Sequence, residues 1–328
     1  MDGQIPTQFP SILQRTFVNR AGLRSGWSVL IFLILVAVPL VALTKARHKL
    51  FPDVHSPQDA GAMPVMILSE VVFFLAVLLA TWIMSKIEHR ALPVYGLARD
   101  SRWLRQLFAG MLWGVGCLAL LVFALWKAGL LVIDSLLLRG GDAVFYGADW
   151  FLGFVFVGLF EEYLSRGYLQ YTLTRGLAGF YQAIFQTRHS TALGFWTAAL
   201  VLSILFGLGH GHNPGESPIG LLAAGIVALV FCFSLWRTGS LWWAIGFHAS
   251  WDWAESFLFG VADSGIFAEH RLLATHPVGD PLFSGGTTGP EGSIVILPIV
   301  LLIALIIRFT LPRSGGSYGA NLSPSLYS

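Results

Sequence analysis

Long apolar runs, broken by short polar stretches, set the pattern of this chain. A helix that crosses a bilayer needs roughly 20 apolar residues at about 1.5 Å rise each. Eight stretches answer to that: 27–43, 65–85, 107–126, 149–173, 194–211, 218–236, 240–258 and 294–311. The pattern predicts an all-α integral membrane protein of about eight transmembrane helices. The first stretch is short, and the fifth starts weakly. The fourth begins apolar and ends polar, in "GLFEEYLSRGYLQ". No internal repeat is visible.

The polar stretches complete the division. Residues 1–26 form a polar N-terminal segment. A cleaved signal peptide would place its apolar region earlier, so 27–43 reads as a retained span. Residues 27–148 hold the N-terminal spans, and 149–258 the candidate catalytic core. Residues 259–293 read as an exposed cap or a mobile loop. A last span, 294–311, precedes a Gly/Ser/Pro-rich end, "RSGGSYGANLSPSLYS" (312–328), that reads as disordered.

Composition sharpens this. The 328 residues are 55% hydrophobic and 12% charged, which is a membrane composition. A net charge of +2 gives no reason to expect a nucleic-acid partner. The two cysteines, Cys117 and Cys232, lie in different apolar runs and suggest neither a disulfide framework nor a metal site. With the N-terminus inside, about 14 of the 20 basic residues fall on the cytoplasmic side, so both termini are expected there. The first outer loop, "KARHK", runs against that bias.

Ionisable residues within a span cost roughly 2.5–3.5 kcal/mol each at its centre, so each needs a partner or a purpose. Three clusters stand out. In Glu161-Glu162-x-x-x-Arg166, the i,i+4 spacing lets Glu162 pair with Arg166. Glu161 points about 100° away and stays available for chemistry or for a metal. In Phe206-x-x-x-His210, a histidine ends an apolar run. In His248-x-x-x-Asp252, imidazole and carboxylate share one helical face, and Asp252 could orient the ring or contact water. Two histidines and a free glutamate on three helices could hold a divalent metal with an open position, or a water directly. A glutamate beside that water can act as a general base, and the reaction implied is amide hydrolysis.

The three clusters, in this order, resemble the CAAX prenyl endopeptidases, also called the CPBP or Abi family of intramembrane metalloproteases. Their motifs EExxxR, FxxxH and HxxxN/D stand here as Glu161–Arg166, Phe206–His210 and His248–Asp252. Gly167 and the run "TGSLWWAIGFH" also fit, and the likeness covers roughly 150–258. The resemblance implies an eight-helix fold whose cavity opens toward the cytosol. Glu161 would activate the water, His210 and His248 would hold it or a zinc ion, and Asp252 would help bind water or oxyanion. Glu162, Arg166 and Phe206 would position these groups. It implies an intramembrane metalloendopeptidase acting near the cytoplasmic side on a peptide or membrane-protein substrate, lipidated or not, in a lipid bilayer. Asp252 stands where eukaryotic members carry Asn. A bacterial inner membrane is the expected location. The rival is a non-catalytic binding or immunity protein on the same scaffold. A proton-relay transporter is a third reading, and it would predict repeat symmetry.

Other residues read blandly. Glu70 is expected to cap or face an interface, "SKIEHR" (85–90) to be a solvated span end, and Trp242, Trp243, Trp251 and Trp253 to form an aromatic belt. Segment 174–193 reads either as an amphipathic helix on the cytoplasmic surface or as a plain connection. Depth along the spans puts Glu161 about 18 Å from the outer side and His248 about 12 Å from the inner. His210, about 24 Å along its span, falls too far out, so its span must start late or tilt. The loop "GHNPGESP" is then a candidate cavity wall.

Overall fold

The computed structural model describes residues 17–19, 22–52 and 62–312. Most of the N-terminal segment and all but the first residue of the C-terminal tail lie outside them. Nine helices of twelve or more residues carry the described fold: α1 (Ser25–Leu50), α2 (Ala62–Ile87), α3 (Trp103–Lys127), α4 (Gly140–Glu162), α5 (Gln170–Phe185), α6 (Ser190–Gly209), α7 (Pro218–Thr238), α8 (Trp242–Trp253) and α9 (Ile296–Thr310). Every predicted span falls on one of them. Six helical stretches are long and apolar enough to cross a membrane: α1, α2, α3, α4 running into α5, α6 and α7. The seventh and eighth expected spans correspond to α8 and α9, which fall short of that length. The protein is thus a helical membrane protein.

A π-helical turn, Tyr163–Leu169, joins α4 to α5 without a break, and a second one, Ala254–Leu258, extends α8. Such turns concentrate at functional sites. The first makes Gly140–Phe185 one helical run of 46 residues. Segment 174–193 is therefore neither a separate surface helix nor a plain loop. Its first part continues the fourth span, and α6 begins at Ser190, before the expected start of the fifth.

The connections gather at two ends. At one end, Leu241 donates its backbone N–H to the Gly96 carbonyl (3.0 Å) and the Trp242 indole donates to Ala98 O (2.9 Å). Arg237 reaches the Leu311 carbonyl there, after the last helix. Glu88 is also at this end. It accepts from Ser28 Oγ (2.6 Å), Arg175 Nη2 (2.9 Å) and Tyr95 OH (3.2 Å), and its side chain is 1% exposed. Lys86 and His89 are exposed, as expected of a span end, but Glu88 between them is a buried polar tie from the end of α2 to α1 and α5. At the other end, β1 (Leu131–Leu136) pairs antiparallel with β2 (Leu273–Pro277), so the loop after α3 is stitched to the 259–293 segment. Thr287 Oγ1 donates to Gly215 O (2.8 Å), which ties the same segment to the turn after α6.

Helix α8 is the centre of the bundle. Every residue in it except His248 and Trp253 is buried. Lipid tails give apolar helices no hydrophobic drive to associate, so close backbone packing must hold them. Gly110 and Gly114 on α3 supply it: a Cβ on the first would strike the Trp243 carbonyl, and one on the second the Phe247 carbonyl and Ser250 Oγ. Gly246 answers from α8, its own Cβ position lying against the Leu107 carbonyl. Trp242, Trp243 and Trp251 are buried among these helices, and the Trp253 indole donates to Gly147 O (2.8 Å). They are core residues, not the aromatic belt that hydropathy suggests, because α8 has neighbours on all sides.

Candidate active site

The fold brings the three sequence clusters to one cavity of about 370 Å³. Glu161 reaches it from the end of α4, His210 from the last turn of α6, and His248 and Asp252 from α8. Arg166 and Phe206 line it as well.

The geometry centres on His248. Its Nδ1 lies 2.9 Å from Glu162 Oε1, and its Nε2 lies 3.4 Å from Asp252 Oδ2 and 3.7 Å from Glu161 Oε2. Glu162 is fully buried and takes a second hydrogen bond from Arg166 Nη1 at 2.6 Å. A carboxylate held by a buried guanidinium is ionised and can only accept. The His248 proton therefore sits on Nδ1, which leaves Nε2 facing the cavity. The orienting carboxylate is Glu162, where the i,i+4 spacing had suggested Asp252. Arg166 is fixed in turn by the Phe206 ring, 4.6 Å from its guanidinium carbon, and by the Phe231 ring at 5.6 Å.

Glu161 is the looser carboxylate. Its side chain is 27% exposed, and its Oε2 is buried with no hydrogen-bond partner. A contact of 3.7 Å is too long for a direct hydrogen bond and leaves room for a small bridging species. His210 stands further off. Its Nδ1 is 2.9 Å from its own helix's Phe206 carbonyl, and the Phe206 ring centroid is 6.4 Å from that of His248. Glu161, His210 and His248 thus share the cavity without their donor atoms closing into one tight cluster. Among the described residues, the only three such groups with ligand atoms all within 4.8 Å of one another are Glu255, Asp263 and Glu291.

Three further carboxylates line the cavity: Glu70, read from sequence as a capping or interfacial residue, and Asp263 and Glu291, which that reading did not single out. Glu70 of α2 faces the cavity rather than capping its helix. Asp263 and Glu291, from the 259–293 segment, form part of its roof. No spacing pattern marks them, because each comes from a different element. Asn213 also lines the cavity, so the "GHNPGESP" loop is a wall, as its depth suggested. Outside the spans, burial raises the carboxyls of Glu216 and Asp263 above the usual range, Asp263 strongly, with the charges of Asp252 and Glu291 adding to it.

Residues 143–254 match the family model described as Type II CAAX prenyl endopeptidase Rce1-like. That segment resembles the Rce1-like family. The match covers about a third of the chain and contains all three motifs. It ends one residue before Glu255, so the Rce1-like segment includes Glu161, His210, His248 and Asp252 but neither the roof nor α9. Neither the curated proteins nor the solved structures include a match to the chain.

Proposed function

We propose that this protein is an intramembrane endopeptidase that hydrolyses a peptide bond with a water activated by Glu161. The observation that carries this reading is the arrangement of His248. One ring nitrogen is locked to the Glu162–Arg166 pair, and the other faces the unpartnered Glu161 oxygen across a gap. The Rce1-like match supports it.

In this reading, Glu161 takes a proton from water as the oxygen attacks the carbonyl carbon. The C–N bond then breaks, and the amine leaves with the proton returned by Glu161. His248 Nε2 and Asp252 orient the water and the developing tetrahedral centre, and His210 approaches from the α6 side. The donor types, two imidazoles and a carboxylate, are those of a zinc site, although His210 would have to draw in for the three to close on one ion. Glu161, His210 and His248 would hold it, and when bound it would lower the pKa of the water and polarise the carbonyl. The substrate is a peptide segment presented within the bilayer. The apolar lining, including Phe154, Val157 and Val227, suits a lipidated or transmembrane peptide.

The side of action follows from the bundle. Cavity-lining residues come from the turn after α6 and from the 259–293 segment. Both lie at the end opposite Lys86, Arg90, Arg99, Arg102, Arg237 and Arg308. His248 lies six residues into α8 from its start at the basic end, about 9 Å, and Glu161 lies at the far end of α4 from the roofed side, so the catalytic groups sit nearer the basic end although the cavity is roofed from the other. We keep the charge-based orientation in the cell membrane, with both termini inside, and assign cleavage to the cytoplasmic half.

The test compares newly formed peptide C-termini in membranes carrying wild type and Glu161→Gln at matched protein levels. Termini that disappear with Gln identify substrates. Identical profiles sink the protease reading and leave the binding or immunity protein in its place.

A further inference from the structure

Among the described residues, several buried carboxylates have a cationic or imidazole partner. Glu162 is paired with Arg166, and Glu88 with Arg175. Glu255 has no such partner. It is 0% exposed, and both of its carboxylate oxygens lack a hydrogen-bond partner. The charged groups that face it are Glu291, Asp263 and Asp252, all of its own sign. The Trp251 indole beside it is committed to Glu291 Oε1 at 2.8 Å.

Glu255, Asp263 and Glu291 place one ligand oxygen each within 4.8 Å of the others. Two oxygens bound to one calcium ion at about 2.3–2.6 Å can lie at most about 5 Å apart, so this triangle has the size of a cation site. Ser256 Oγ donates to Asp263 Oδ2 (3.1 Å) and Ser264 Oγ to Glu291 Oε2 (3.0 Å). Those bonds fix two of the carboxylates and leave lone pairs free. An all-oxygen, all-carboxylate set suits a hard cation of the calcium, magnesium or manganese class rather than zinc.

We infer that Glu255, Asp263 and Glu291 form a binding site for a hard divalent cation, separate from the catalytic cluster, that pins the roof of the cavity. Glu255 lies at the start of the α8 extension. Asp263 follows at the start of the roof, and Glu291 stands in the turn that closes it before α9. The ion joins the first and last parts of the 259–293 segment, both of which line the cavity. It also offsets three like charges that otherwise must be held protonated or repel. The site lies just beyond the Rce1-like segment, and the inference does not depend on protease activity.

The experiment uses the full-length protein in detergent, stripped with a chelator and titrated with Ca²⁺, Mg²⁺ or Mn²⁺. It reads equilibrium binding together with the rate of tryptic cleavage after Arg271 in the roof. The wild type should bind one ion saturably and be cut more slowly with ion present. Glu255→Gln should weaken binding by about tenfold or more and abolish the protection. Glu291→Gln, which keeps an acceptor for Trp251, serves the same purpose if the first variant misfolds. Glu161→Gln should leave both responses intact. The inference is overturned if no ion binds saturably, if Glu255→Gln and Glu291→Gln bind as the wild type does, or if Glu161→Gln alone removes binding. The last result would put the ion in the catalytic cluster.

Discussion

Glu162 and His248 are joined across two helices, Oε1 to Nδ1 at 2.9 Å, and the same oxygen holds Arg166 at 2.6 Å. One atom thus neutralises a buried arginine and sets the tautomer of the cavity histidine. Glu162→Gln should remove both effects. Breaking a buried pair from one side costs about 3–5 kcal/mol, so the melting temperature should fall along with cleavage. The double variant Glu162→Gln/Arg166→Met should regain much of the melting temperature but not the activity. Thermal unfolding in detergent and a cleavage assay separate the two.

Glu161 should show the opposite balance. Its Oε2 holds no hydrogen bond in the fold, so Glu161→Gln should melt as the wild type does. Loss of a general base lowers turnover by about 10²–10⁴-fold. A large drop in melting temperature would instead mark Glu161 as structural.

Asp252 lies 3.4 Å from His248 Nε2, on the cavity side of the ring, while Glu162 holds Nδ1. Asp252→Asn, which keeps an oxygen toward the cavity, should retain activity within about tenfold, or roughly 1.4 kcal/mol. Asp252→Ala should lose considerably more. Initial rates at matched expression are the readout. Equal losses for Asn and Ala would show that the charge itself is required.

The contact between α3 and α8 has its own test. A side chain at Gly110 meets the Trp243 carbonyl, whereas Gly116 on the same helix faces open space. Gly110→Leu should lower the folded yield sharply, by more than the about 1–3 kcal/mol typical of overpacking, since backbone atoms cannot move aside. Gly116→Ala should be neutral or slightly stabilising. Size-exclusion profiles and thermal melts of the two variants check it.

Orientation can be read with a membrane-impermeant thiol reagent, because Cys117 and Cys232 are both buried. Val278→Cys lies at the roofed end and Arg99→Cys at the basic end. In intact cells the first should be labelled and the second only after permeabilisation. The reverse pattern would put the roof in the cytoplasm and the termini outside.

The sequence carried its periodic and paired features well. Eight apolar runs located the helices, and the i,i+4 spacing identified the Glu162–Arg166 pair before any coordinates. What it hid were relations between elements. The bond from His248 to Glu162 crosses from α8 to α4, and the local partner Asp252 was the one that spacing could offer. Glu70, Asp263 and Glu291 reach the cavity from separate elements, so no motif announces them. The tryptophans of α8 misled because belt and core tryptophans look alike in a hydropathy profile. Only the glycines of α3, by admitting α8 so closely, decide between the two.

The shelter around α8 bears on how the chain is made. A short helix that carries His248 and Asp252, and runs on into Glu255, has little to recommend it to the insertion machinery on its own. Its hosts, α3 and α4, emerge from the ribosome earlier. The helix that bears the histidine therefore enters the membrane as a guest of helices already there. Assembly, rather than hydropathy, is the step that commits it to the bilayer.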